Sequence, residues 1–253
     1  MKAPLIYLFF SLFAFNFSAE DFNHEEQRML STLYVQTAAE HRASVLQTFK
    51  TATNLLPEAI EDTSWHALPN LASSNRDLAP AIIIDVDDTV LDNSPYEARL
   101  IKSGKSYPSG WGDWCNESQA KPLPGVLEFL LKAEQMGVKI FYVTNRKYEY
   151  EKGTLENFKK FGIPIEGDED SLLMRYENGW DSNKTSRREL IAKNHRVIFQ
   201  IGDNLGDFVD LSLSHQSPEK RVEVVTEFND MWGKYWFMIE NPTYGDWEGA
   251  LYK

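Results

Sequence analysis

Three consecutive β-branched residues, Ile82, Ile83 and Ile84, run directly into Asp85, Val86, Asp87 and Asp88. An apolar run with no polar residue at alternate positions fits a strand covered on both faces, as in the middle of a parallel sheet. Such sheets bind ligands beyond the carboxyl ends of their strands. The strand period of two puts Asp85 and Asp87 on the same side where the run ends. Two carboxylates that close repel each other unless a cation sits between them or one keeps its proton. Alone, the pair reads more readily as a solvated acidic turn, so the other segments decide.

Two later segments read as buried strands and end in the same manner. Val138 to Val143 delivers Thr144, Asn145 and Arg146, and Val197 to Ile201 leads into GDNLGDF, where Gly202 permits a close turn and Asp203 and Asp207 add two carboxylates. Between them lies DSNKTSRREL, with Lys184 opening a helix expected over Lys184 to Lys193. Its ammonium and the positive helix end both favour an anion. Three strands ending in hydroxyl, amide or carboxylate groups are hard to obtain by chance. The five histidines show no paired spacing and the one cysteine cannot build a structural zinc site, so the all-oxygen set favours a hard cation.

The remaining chain supplies helices and aromatics. Helical spacing runs from about Asp21 to Leu56, with Pro57 as its limit, and a second short helix is expected over Glu58 to Ala67. Ser106 to Gly125 reads as a non-periodic loop carrying Tyr107, Trp111 and Trp114, which serve either a ligand or a small core. Helices follow over Pro124 to Met136, capped by Gly137, and over Lys147 to Phe161, ended by Gly162, with a short strand near Leu172 to Met174. In the aromatic tail, Tyr244 sits in a turn between Pro242 and Gly245, placed to reach a ligand or to close the core.

At 253 residues the chain fits one domain with an elaborated cap. Its net charge of −12 argues against binding a nucleic-acid polymer, whereas a small phosphate ester needs only a few local cations. Met1 to Ala19, with Lys2 ahead of LIYLFFSLFAFNF, reads as a secretory signal peptide. With Cys115 as the sole cysteine, no intramolecular disulfide forms and no lipid-anchor cysteine ends the leader, so no stable membrane anchor is expected. Cys115 itself reads as a packed small hydrophobe rather than a nucleophile.

DVDDT behind its isoleucines, VTN, an isolated lysine and GDNLGDF occur in the order of the four motifs of the haloacid dehalogenase (HAD) superfamily. Within it, DVDDTVLDNSPY, FYVTNR, GDNLGDF and NPTYGDWEG resemble the class C acid phosphatases, which include bacterial 5′-nucleotidase lipoproteins. The resemblance extends from about Tyr34 to Leu251; Asp88 stands where glutamate is more usual. It implies an α/β fold: a Rossmann-like parallel sheet with helices on both faces, and a smaller, mainly helical cap. The domain would span residues 20–253, with a helical segment over about 22–78 and a cap-like insertion over about 93–123. It also implies an exported, periplasmic or secreted, Mg²⁺-dependent phosphatase acting on small phosphomonoesters, nucleoside monophosphates among them, and leaves a homo-oligomer open.

The chemistry assigns roles on that basis. Asp85 would attack phosphorus and Asp87 would act as acid and base. Thr144, Asn145 and Lys184 would hold the phosphoryl oxygens. Mg²⁺ would be held by Asp85, the backbone carbonyl of Asp87 and Asp203, with Asp207 orienting its waters or binding directly. By resemblance Trp111 and Tyr244 correspond to aromatics that sandwich a nucleobase, with Arg146 beside them. Two alternatives stay open: phosphoryl transfer to an alcohol, and a non-catalytic nucleotide-binding or storage-type protein.

Overall fold

The computed structural model describes residues 24–69, 76–165 and 170–251. The expected leader, residues 1–19, lies outside them. In chain order the first elements are α1 (His24–Thr37), α2 (Ala39–Glu61), β1 (Pro80–Ile84), β2 (Leu91–Asp92), α3 (Ser94–Ser103), α4 (Trp111–Glu117) and β3 (Lys121–Pro122). Then come α5 (Val126–Gln135), β4 (Lys139–Lys147), α6 (Glu151–Phe161), β5 (Leu172–Arg175), α7 (Thr185–Ala192) and β6 (Arg196–Gly202). The chain closes with α8 (Leu211–Ser214), α9 (Pro218–Glu227), β7 (Trp236–Met238) and α10 (Asp246–Ala250).

Five strands form one sheet in the order β5-β4-β1-β6-β7, and every neighbouring pair is parallel. The isoleucine run accounts for its middle. Ile82 and Ile84 pack with Phe49 and Leu56 of α2, Phe129 of α5 and Phe158 of α6, whereas Ala81 and Ile83 pack on the other face with Ile191 of α7 and Val224 of α9. Alternate residues of one strand thus feed two separate cores, each buried isoleucine contributing about 2 kcal/mol. Because the strands are parallel, the carboxyl ends of β1, β4 and β6 share one edge. The β1–β6 ladder continues one residue further, Asp85 N–H donating to Ile201 O at 2.9 Å.

Between β1 and β4, the segment expected as a cap holds α3, α4 and the antiparallel pair β2–β3. The structure departs from the sequence expectations at several points. The first long helix breaks at Ala38, which is extended (φ −74°, ψ 124°), and α2 runs through Pro57 to Glu61. Proline forfeits one helical hydrogen bond there, but Leu56 and Ala59 on the buried face keep the turn wound. Consequently no separate helix forms over Glu58 to Ala67. The aromatic loop is not wholly irregular, since α4 lies within it, started by Gly110 in the left-handed region. β7, absent from the sequence reading, is a three-residue strand, too short to show a period.

Arg196, at the amino end of β6, fastens α2 to the sheet. Its Nη1 donates to the carbonyls of Ala59 (2.9 Å), Asp62 (3.1 Å) and Trp65 (3.1 Å), and Nη2 to that of Ile60 (2.9 Å). Carbonyls ending a helix have no partner within it, and this guanidinium supplies one. Arg196→Met should therefore lower unfolding stability by about 3 kcal/mol, the cost of orphaned buried acceptors, without altering turnover by the folded fraction. Urea unfolding checks it: an unchanged midpoint would show that the clamp is dispensable.

Candidate active site

The shared edge of the sheet gathers the acidic residues. Asp85 follows β1, and Asp203 and Asp207 follow β6; one carboxylate oxygen from each lies within 4.8 Å of the others. Gly202 makes this approach feasible, since a Cβ there would stand 2.3 Å from Asp207 Oδ2. Asn204 N–H donates to Asp207 Oδ2 (2.9 Å), and Asn241 Nδ2 to Asp203 Oδ2 (2.8 Å).

Lys184 enters this cluster from the start of α7. Its buried Nζ donates to Asp85 Oδ1 and, at 2.6 Å, to Asp207 Oδ1. Asp210 fixes the turn that delivers it, accepting from Asn183 Nδ2 (2.6 Å) and Thr185 Oγ1 (3.2 Å). Burial opposes the ammonium's charge, yet Asp207 and Asp85 together raise its pKa above the ordinary lysine value. Burial pushes Asp85 up to about 7, with Lys184 pulling the other way and Asp207 and Asp87 adding repulsion. Asp203 rises well above the ordinary value through burial and the charges of Asp85 and Asp207. Three carboxylates face one ammonium. A hard divalent cation, which prefers oxygen donors, fits this set.

Asp87 belongs to a different partnership. Its Oδ1 accepts from Arg146 Nε (2.9 Å) and Asn93 Nδ2 (2.8 Å), which leaves Oδ2 and the backbone carbonyl for other partners. Arg146 is buried at 1% exposure, and Thr144 is fully buried, its Oγ1 accepting from Arg146 N–H at 3.0 Å. Arg187 holds the end of β4, donating to Thr144 O (2.6 Å) and Asn145 Oδ1 (2.8 Å).

A cavity of about 300 Å³ opens over these groups. Asp85, Asp87, Asn145, Arg146, Lys184, Asp203 and Asp207 line it together with Trp111 and Tyr244, so every site residue expected from the sequence except the buried Thr144 borders one space. Beside Tyr244, burial pushes the Asp88 carboxyl up to about 8. Sequence reasoning missed Asn93, Asn241, Arg187 and Asp210, and also Arg28, Glu97 and Glu248, which complete the outer wall. Nothing local marks these as site residues; DNSPY and NPTY, quoted only for resemblance, contain two of them. Cys115 is a packed residue, its thiol pushed by burial up to about 12.

The family model for the HAD superfamily, subfamily IIIB (acid phosphatase), matches residues 17–247. The chain belongs to this family. It is 36% identical to the class C acid phosphatase of Bacillus anthracis, with a TM-score of 0.79 over 90% of this chain and 89% of that one. A structure of the same Bacillus anthracis enzyme with tungstate bound matches at 35% identity and a TM-score of 0.77, over 90% of this chain and 89% of that one. More distant similarity links it to acid phosphatase 1 of Solanum lycopersicum, 25% identical over 53% of this chain and 54% of that protein. Vegetative storage protein 1 of Arabidopsis thaliana is 24% identical over 51% of this chain and 48% of its own length. The chain thus spans about half the length of the curated relatives it matches.

The raised carboxyls have a thermodynamic sign. Between 3.8 and about 7 the folded Asp85 holds a proton that the unfolded chain releases, so this contribution to stability falls as pH rises through that window. Asp203 acts in the same direction. In chelator, Asp203→Asn should therefore melt higher than the native protein at pH 7 and gain less at pH 5. A divalent cation should raise the melting temperature of the native protein only. Thermal scans decide it: an equal cation shift in both would remove Asp203 from the cation site.

Proposed function

We propose that the protein is an exported, Mg²⁺-dependent acid phosphatase that hydrolyses small phosphomonoesters through an aspartyl phosphate on Asp85. The observation that carries this reading is the placement of Asp85 against a buried, charged Lys184, within reach of two further carboxylates and on the same cavity as Asp87. Asp85 attacks phosphorus. Asp87 gives a proton to the leaving oxygen and takes one from the water that later hydrolyses the acyl phosphate, a role worth about 10²- to 10⁴-fold. Lys184 offsets the charge of the nucleophile and of the phosphoryl oxygens, and Asn145 on the cavity wall orients those oxygens, with the buried Thr144 behind it. Asp85, Asp203 and the Asp87 carbonyl would hold Mg²⁺, with Asp207 beside them. When bound, the ion supplies the positive charge that lets an anion attack an anion.

The leaving group lies on the aromatic side. Trp111 and Tyr244 border the cavity, and a space of about 300 Å³ suits a mononucleotide rather than a polymer. Nucleoside 5′-monophosphates are proposed among the better substrates. Export rests on the leader sequence; among the described residues no helix is long and apolar enough to cross a membrane. A storage role without catalysis is disfavoured because Asp85 and Asp87 are both retained, with Lys184 donating to Asp85.

Phosphate release by the mature protein over a panel of monoesters, with Mg²⁺ and with chelator, tests the proposal. Asp85→Asn should reduce release from every ester to background while the fold persists; retained turnover would remove Asp85 as nucleophile. Trp111→Ala should raise KM about 10-fold for a nucleotide and little for glycerol phosphate, as expected from losing one stacking partner. Equal changes for both esters would exclude stacking.

A further inference from the structure

Asp87 Oδ1 is crowded with donors. Arg146 Nε donates to it at 2.9 Å, Arg146 Nη2 lies 2.8 Å away, and Asn93 Nδ2 donates at 2.8 Å. The orientation of the Asn93 amide is not free, because the indole N–H of Trp114 donates to Asn93 Oδ1 at 2.8 Å. An indole can only donate, so the Asn93 oxygen must face it and the amide nitrogen must face Asp87. Guanidinium likewise has no acceptor. Oδ1 therefore stays an acceptor, and any proton on Asp87 resides on Oδ2. The surroundings are fixed: Asn93 is fully buried and Trp114 is 3% exposed. Asn93 N–H donates to Asp88 Oδ1 (2.9 Å), and Arg146 Nη1 to Thr154 Oγ1 (3.1 Å).

We infer that Asn93, Trp114 and Arg146 form a positioning clamp that confines the acid-base proton of Asp87 to one oxygen, Oδ2. The inference rests on the proposed phosphatase mechanism and deepens it. As Asp85 forms its bond to phosphorus, the ester P–O bond breaks, its electron pair stays on the leaving oxygen, and the proton on Asp87 Oδ2 moves there. In the second step water attacks phosphorus, the bond to Asp85 breaks, and a water proton returns to Oδ2. Throughout, Oδ1 remains the hydrogen-bond acceptor of the clamp and stays in place. Without the Trp114 donor, the Asn93 amide is free to turn its oxygen toward Asp87.

Leaving-group dependence separates positioning from general damage. A dinitrophenyl phosphate needs little protonation on departure, whereas glycerol phosphate needs it fully. Loss of clamp residues should thus reduce kcat/KM for glycerol phosphate at least about 10-fold more than for dinitrophenyl phosphate, a part of the full acid contribution. Asn93→Ala and the milder Trp114→Phe should both show this, and Asp87→Asn should show it most strongly. A cation-dependent thermal shift like the native one establishes that each variant keeps its site; if either unfolds, Asn93→Ser supplies the comparison. Equal losses on the two esters in clamp variants, with leaving-group dependence retained in Asp87→Asn, overturn the clamp alone. Indifference of Asp87→Asn to the leaving group overturns both the clamp and the acid role.

Discussion

The contact of Lys184 with Asp85 and Asp207 sets the terms for the site. Three carboxylates drawn within a few ångströms and removed from water repel one another strongly, and a desolvated ammonium offsets part of that cost only when its geometry is close. The remaining negative charge explains why burial and mutual repulsion raise Asp85 and Asp203 together. Asp87 is held apart from that cluster by Arg146, whose Nη2 lies 2.8 Å from its Oδ1. The edge of the sheet is divided accordingly: a negative half suited to a cation and a nucleophile, and a neutral half suited to moving a proton.

Keeping Lys184 in place requires more than its own bonds. Two consecutive buried arginines of α7 tie the flanking segments to the helix that presents it. Arg187 reaches the end of β4 through Thr144 and Asn145, and Arg188 Nη1 donates to the carbonyls of Gly206 (3.0 Å) and Asp207 (2.9 Å) beyond β6. Burial lowers both guanidinium pKa values to about 10, a cost accepted where carbonyls would otherwise lack donors. α7 therefore acts as a bar across the strand ends. It holds Lys184 between Asp85, the proposed nucleophile, and Asp207.

Much of this was legible in the sequence, for a physical reason. Strands buried on both faces are mostly apolar, so the middles of β1, β4 and β6 stand out in the sequence, and the polar residues at their carboxyl ends fall at the ligand-binding edge. The acidic positions followed from that, and Lys184 from its place at the start of an expected helix together with the family resemblance. The supporting contacts did not, because they join distant residues: Arg146 to Asp87 across 59 positions, Arg187 to Asn145 across 42. A buried arginine and a solvated one look alike in a sequence. Helix α4 carried a signal that went unread, since Trp111, Trp114 and Cys115 follow helical spacing. The break at Ala38 carried none, and the tolerance of Pro57 depended on packing against the sheet.

Trp111 would link the two functions proposed for the cavity. Its ring lies edge-on to Tyr96 with centroids 4.9 Å apart, and the guanidinium carbon of Arg146 lies 5.6 Å from its centroid. An aromatic leaving group stacked on Trp111 would therefore rest beside the cation that fixes Asp87. Recognition and acid positioning would then share one residue, and single substitutions at Arg146 could not apportion the two. Coupling between Trp111 and Asn93, which do not depend on each other for stacking, isolates the shared part: if Arg146 transmits it, their effects on a nucleotide deviate from additivity, whereas on glycerol phosphate they add. Such coupling would mean that a base on the aromatic wall tightens the arrangement delivering the proton, making leaving-group affinity a contributor to turnover as well as to binding.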